Sequence, residues 1–260
     1  MSAVGPFESF YGSAAQQPAS LWVAALVGWA GVLVLEDRPR SVRRFASACA
    51  ALAILDAWLT ANHVLGIGAL PGVLATAAPL CFVLAGDLRV FLFLDVVNVS
   101  EPRTLELRRA RWGRVLALTV LVPVIAFGVV KPLADSLAAP DAAGRILFLG
   151  YELLFLALIL VLRQRVLPRQ LADRGAVRGW ARSVASFVAV YYGLWALADL
   201  WILLAPPPAR DLGFGLRVLP NLLYYGGLGP WIAWRSAIRK ARVDDPGIGV
   251  AHPDPQLQRP

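Results

Sequence analysis

The chain has 260 residues, 58% of them apolar and only 16% charged, with a mean hydropathy of +0.62. That balance excludes one or two ordinary soluble domains and points to an all-α integral membrane protein. A net charge of +8 and a pI near 10.2 do not read as nucleic-acid binding, because the basic residues fall between apolar runs and not on a soluble fold with interleaved aromatics; they read as topology and contact with anionic lipid headgroups.

In chain order, residues 1–19 have no basic stretch ahead of the first apolar run, so they form a short extracytoplasmic segment and the run is a retained span, not a cleaved signal. A bilayer core about 30 Å thick needs roughly 20 mostly apolar residues per helix. Seven segments meet that length: 20–36, 46–66, 72–97, 113–133, 146–164, 182–205 and 216–235. Residues 20–242 are therefore a seven-transmembrane-helix bundle. The Pro-rich polar stretch 243–260 is expected to be a disordered cytoplasmic tail.

The charges between the spans set orientation, since Lys and Arg are retained on the cytoplasmic side. Segment 36–45 holds four arginines, 98–114 five and 163–182 six, and the C-terminal end adds more, so twenty basic residues lie in inner segments. The outer connections, taken with the helix ends beside them, hold Lys131, Arg145, Arg210 and Arg217. This predicts N-out and C-in, in a bacterial-type inner membrane.

Ionisable residues at bilayer depth are costly and are functional candidates by default. With a rise of about 1.5 Å per residue, Asp56 lies near the middle of the second span and His63 outward on the same face. Asp87 and Arg89 lie slightly cytoplasmic of the middle of the third, with Asp95 near enough to the interface for water to reach it. Glu152 in the fifth span, Asp199 in the sixth and Asn221 in the seventh lie on the outward side, and Tyr225 lies at the midplane. Tyr192, Trp195 and Asp199 share one helix face, as do Asn221, Tyr224 and Tyr225. Asp87 and Arg89, two residues apart, point about 160° apart the other way round the helix and need separate partners. Arg89 is expected to face the bundle and meet a carboxylate from another helix, Asp56 in the first instance.

Four carboxyls at depth (Asp56, Asp87, Glu152, Asp199) against Arg89 as the one fixed cation cannot all be bare carboxylates in a low dielectric. Either they serve as interhelical hydrogen-bonding glue, or they line a water-filled pocket and titrate. The second alternative describes a carrier or sensor for a small, cationic solute, coupled to protons. Asp56 and Asp199 would be its ligand or proton sites, with Glu152, His63 and Asn221 at the outer mouth beside Tyr192, Trp195 and Tyr225. Cys49 and Cys81 read as small buried hydrophobes, and no metal or cofactor motif follows from them.

Helix two contains AILDAWL (53–59) and helix six ALADLWI (196–202), both A-x-x-D-x-W. This suggests a parallel 3+1+3 repeat with Asp56 and Asp199 as corresponding residues. In topology the arrangement resembles the PQ-loop and sugar-carrier class, without that class's Pro-Gln pair at the ends of helices one and five. An alternative rests on GDLRVFL (86–92) and ADLWILL (198–204), which resemble the two Asp-containing helices of the lysoplasmalogenase family. That resemblance implies an intramembrane lipid hydrolase with Asp87 and Asp199 as catalytic groups. A purely structural membrane subunit is the third reading.

Overall fold

The computed structural model describes residues 4–60, 72–98 and 105–237. Among them every regular element is helical and there are no strands. A short helix α1 (Pro6–Tyr11) precedes seven long rods: α2 (15–33), α3 (Arg40–Thr60), α4 (Gly72–Asn98), α5 (105–137), α6 (140–170), α7 (Gly175–Leu204) and α8 (207–234). His63 and residues 238–260, including the whole of the expected tail, lie outside the described residues.

Three stretches are long and apolar enough to cross a membrane: Arg109–Leu137, Ala142–Gln170 and Gly175–Leu204, with Leu21–Leu33 a shorter apolar helix. The other rods carry charge that lowers their hydropathy. Arg40, Arg43 and Arg44 open α3, α4 contains Asp87, Arg89 and Asp95, and α8 contains Arg210, Asp211 and Arg217. Less than half of each of the three apolar windows is buried. Val120, Leu121, Val124, Phe127 and Leu133 on α5, and Val190, Leu197, Leu200 and Leu204 on α7, stand exposed. An apolar girdle of that extent has no place in water, whereas the buried interior includes Asp87, Arg89, Glu152, Asp199 and Asn221.

The rods run beyond the predicted spans. Residues 105–112, expected in a loop, begin α5, and 165–170 continue α6 to a short turn at 171–174. Arg-rich sequence keeps good helix propensity, so the backbone goes on satisfying itself within the helix past the last apolar residue. The expected N-terminal segment 1–19 is likewise helical over 6–11 and from 15 onward. Pro140 and Pro207 open α6 and α8 at positions where a missing N–H costs nothing.

Four rods contain a widened π turn: α2 begins with one at Ala15–Ser20, and the others lie at Ala126–Val130, Leu162–Val166 and Leu223–Gly227. Each of the latter three runs into a proline, Pro132, Pro168 and Pro230 respectively. A proline cannot donate to the carbonyl four residues earlier and its ring pushes that carbonyl aside; positions 128, 164 and 226 all fall inside the π turns, which absorb the displacement.

Helix α7 packs along both α6 and α8. Its buried residues Ala181, Val184, Ala185, Val188, Tyr191, Tyr192, Ala198, Asp199 and Ile202 recur at helical spacing and put one long face in the core. Helix α2 crosses α8 at its π turn with backbones in contact, because Gly28 faces the Gly226 carbonyl and Gly226 faces the Ala24 carbonyl. At the end where α2 passes into α3, Arg38 donates to the Trp234 carbonyl at 2.8 Å and the Ser236 carbonyl at 3.2 Å, capping the last turn of α8 with positive charge. Asp95, expected within reach of water, is buried and is held by Arg111 and Arg114 of α5.

Candidate functional site

The predicted polar residues gather in two clusters. The first lies mid-bundle. Asp87 of α4 accepts a hydrogen bond from Tyr151 of α6 on one oxygen and from Tyr192 of α7 on the other, the latter at 2.8 Å. Gly86, its neighbour, is where the Tyr224 hydroxyl comes in, and a side chain there would collide with it. The Tyr192 ring stacks on Phe155 at 4.1 Å and packs edge-on to Trp195 at 5.4 Å. Tyr225 is half-buried and packs edge-on to Tyr224 at 4.9 Å.

Arg89 is buried on the far side of α4 and ties three helices together. It donates to the Cys49 carbonyl of α3 at 3.3 Å and the Tyr224 carbonyl of α8 at 3.2 Å, and its guanidinium lies 4.2 Å over the Tyr224 ring. The Tyr224 carbonyl belongs to the π turn, where helix hydrogen bonding is loosened and an outside donor is useful. Arg89 thus faces the bundle, but its hydrogen bonds go to carbonyl oxygens, not to the carboxylate expected of it. Half-buried Asp56 acts on it as a nearby opposite charge. A guanidinium can do this because its fork of five N–H groups serves several acceptors at once.

The second cluster lies where the start of α6, the end of α7 and the start of α8 come together, with α1 packed on α8. Asp199 Oδ1 accepts from Arg145 Nη1 at 2.8 Å and from Arg217 Nη1 at 2.5 Å. Arg217 Nη2 stands 3.9 Å from Glu152 Oε1. Glu152 and Asp199 thus share Arg217 as a neighbour, and Glu152 Oε2 and Asp199 Oδ2 are buried with no donor. Aromatic rings back both cations, Phe214 at 5.1 Å from Arg145 and Tyr11 at 5.4 Å from Arg217. Asn221 accepts from Trp195 Nε1 at 2.8 Å and donates to the Tyr11 hydroxyl at 3.4 Å. Helix α1 is fixed over this end by the Glu8 backbone N–H, which donates to Asp211 Oδ1 at 2.8 Å.

Two expectations need correction here. Arg89 is not the only fixed cation facing the buried acids, because Arg145 and Arg217, read from sequence as charges of the outer connections, sit on helices and reach inward. The signal was present in the spacing: Arg145 and Glu152 are seven residues apart, and Arg217 and Asn221 four, so each pair shares a helix face. Asp56 and Asp199, matched by the A-x-x-D-x-W motif, also stand in unlike surroundings, the first beside Arg89 and Tyr224 and the second between two arginines. Asp87 and Asp199 have no hydrogen-bonding partner in common among the described contacts. Among the described residues no group of acids, cysteines and histidines is arranged to hold a metal. Comparison with protein-family models, with curated proteins and with solved structures finds no match for this chain.

Proposed function

We propose that this chain is a seven-span, N-out and C-in carrier or sensor for a small charged solute, coupled to a proton held on the Glu152–Asp199 pair. The seven rods have the lengths a bilayer requires, and the basic residues segregate to one set of connections. One observation carries the functional part: two buried carboxyl groups stand against one guanidinium, that of Arg217, and each has an oxygen with no donor. Carboxylates repel when both are ionised, and neither can donate. A shared proton removes the repulsion and gives the two donorless oxygens a bond. A structural pair would be served as well by one acid and one amide; two acids add a site whose occupancy changes with pH.

The mid-bundle cluster supports the same reading. Asp87 and its tyrosines lie along α7 from Asp199, with Tyr192 two turns away, about 10 Å at the helical rise. This gives a second buried carboxyl group within reach along α7. Infrared difference spectra of the purified full chain across a pH series provide the test. The protonated carboxylic C=O band should titrate in the wild type and be lost or shifted in Glu152→Gln. A wild-type spectrum with no such band, or one indifferent to Glu152→Gln and Asp199→Asn, sinks the proton site. Proteoliposomes holding a trapped pH dye then separate the two modes, since a carrier moves protons with solute and a sensor does not.

A further inference from the structure

We infer that the solute is a small monocarboxylate, received by Arg145 and Arg217 in exchange for Asp199; this rests on the proton-linked reading above and names the substrate class of the same site. Four bare acids had suggested a cation. The geometry reverses that polarity, for three reasons.

The first is which charges are reachable. The Asp199 side chain is 0% exposed and Glu152 5%, whereas Arg145 is 23% exposed and Arg217 15%. A solute approaching this end of the bundle therefore meets guanidinium groups first, with the carboxyls sealed behind them. A cation would have to pass two like charges to reach an acid, and like-charge approach in a confined site is strongly unfavourable.

The second is the charge balance. Two guanidiniums are permanently charged, and a Glu152–Asp199 pair that shares a proton carries one negative charge. Taken by itself the cluster is then net positive, whereas with both carboxyls ionised it is neutral. Around it, Lys131 and Asp135 of α5 pair with each other, Glu8 and Arg210 are of opposite sign and exposed, and Asp211 of α8 accepts from the backbone of α1 and keeps its charge. Within the cluster, one monovalent anion balances one shared proton.

The third is the donor geometry. Both arginines converge on a single oxygen, Asp199 Oδ1, and Arg217 Nε is buried without an acceptor. Two guanidiniums around one carboxylate leave forked donors unused, and a ligand carboxylate is the group that fits them bidentately. Phe214 and Tyr11, lying under the two cations, and Trp195, held by Asn221, give an apolar or aromatic body a surface to rest on. When the ligand carboxylate takes the arginines, Asp199 loses its counter-ions and the Glu152–Asp199 pair takes up from water the one proton that it then shares. Binding consumes one proton, no covalent bond changes, and affinity falls as pH rises.

The test uses three probes of one shape and different charge (benzoate, benzamide and benzylammonium), together with acetate, on the purified full chain in detergent at constant ionic strength. Melting temperature and Trp fluorescence are read at several pH values. At least one of the two carboxylates should stabilise the protein and the amide and amine should not. The apparent Kd should rise with pH, by up to about tenfold per unit where one proton is taken up. Arg145→Gln, at the more exposed arginine, should weaken binding about tenfold or more, with partial recovery in Arg145→Lys. Stabilisation by benzylammonium, equal stabilisation by benzoate and benzamide, or no response to either carboxylate overturns the anion assignment while leaving the titrating carboxyl band, and with it the proton site, untouched. Carboxylate binding that is independent of pH and of Glu152→Gln does the reverse, retaining the anion site and removing proton coupling.

Discussion

Arg89 shows what a single buried cation does in this bundle. Its side chain is buried among α3, α4 and α8, and it spans two carbonyls and a ring that no other described contact brings together. Removing it takes a positive charge away from Asp56 and the donor away from the Tyr224 carbonyl. Arg89→Leu should therefore cost about 3–5 kcal/mol. Lysine keeps the charge but not the fork, so Arg89→Lys should recover only part of this. If the coupling to Asp56 matters, Arg89→Leu combined with Asp56→Asn should lose less than the two single losses added together. Thermal melts in detergent of the three variants decide this, and strict additivity would assign the whole role of Arg89 to the carbonyls and the ring. The inward position of Arg89 was legible in its sequence setting, since an arginine between Leu88 and Val90 in a greasy run has nowhere comfortable to point except inward. Its partners were not, because backbone carbonyls carry no sequence signature. Arg145 and Arg217 were missed for another reason: a positively charged residue near a predicted helix end is read as loop, although both share a helix face with a buried polar residue.

At the scale of elements, the prolines explain much of what the hydropathy left unsaid. The π turns of α5, α6 and α8 each precede a proline by two or three residues, and the one in α8 both receives Arg89 and admits α2. Helix α2 can cross there only because Gly28 and Gly226 have no side chains, the arrangement that membrane helices use to bring backbones together. Gly28→Leu should then force the crossing apart and cost about 1–3 kcal/mol or more by overpacking. Gly144→Leu is the matched control, since nothing stands within 4 Å of the position its Cβ would occupy. Unfolding in a graded denaturing detergent should separate the two, and equal stability of both variants would mean that α2 does not cross α8 at this point. Apolar length located the seven rods in sequence. It placed their ends poorly because helix continues into arginine-rich sequence at no cost to the backbone. The A-x-x-D-x-W match between α3 and α7 likewise says little about function, since its two aspartates have different counter-ions.

The whole molecule has a polarity that ties its chemistry to its orientation. The Arg145–Asp199–Arg217–Glu152 cluster lies at the end where α6 begins, α7 ends and α8 begins, under α1. The opposite end carries Arg163, Arg165, Arg169, Arg174, Arg178 and Arg182 around the turn between α6 and α7. The buried cluster lies on the N-terminal side, so the direction from which the proposed solute would first meet the arginines depends on which side that is. Basic residues resist transfer across the membrane, and on the imbalance of twenty against four the cluster is expected outside. The orientation is checked with single cysteines in a chain carrying Cys49→Ala and Cys81→Ala. Ala139→Cys, at the exposed turn before α6, should react with an impermeant maleimide in intact cells. Ala172→Cys, exposed in the turn before α7, should react only after permeabilisation. The reverse pattern would turn the molecule over and put the two arginines toward the cytoplasm, making the site one of release or intracellular sensing. Equal labelling of both positions in intact cells would mean that α6 does not cross the membrane at all.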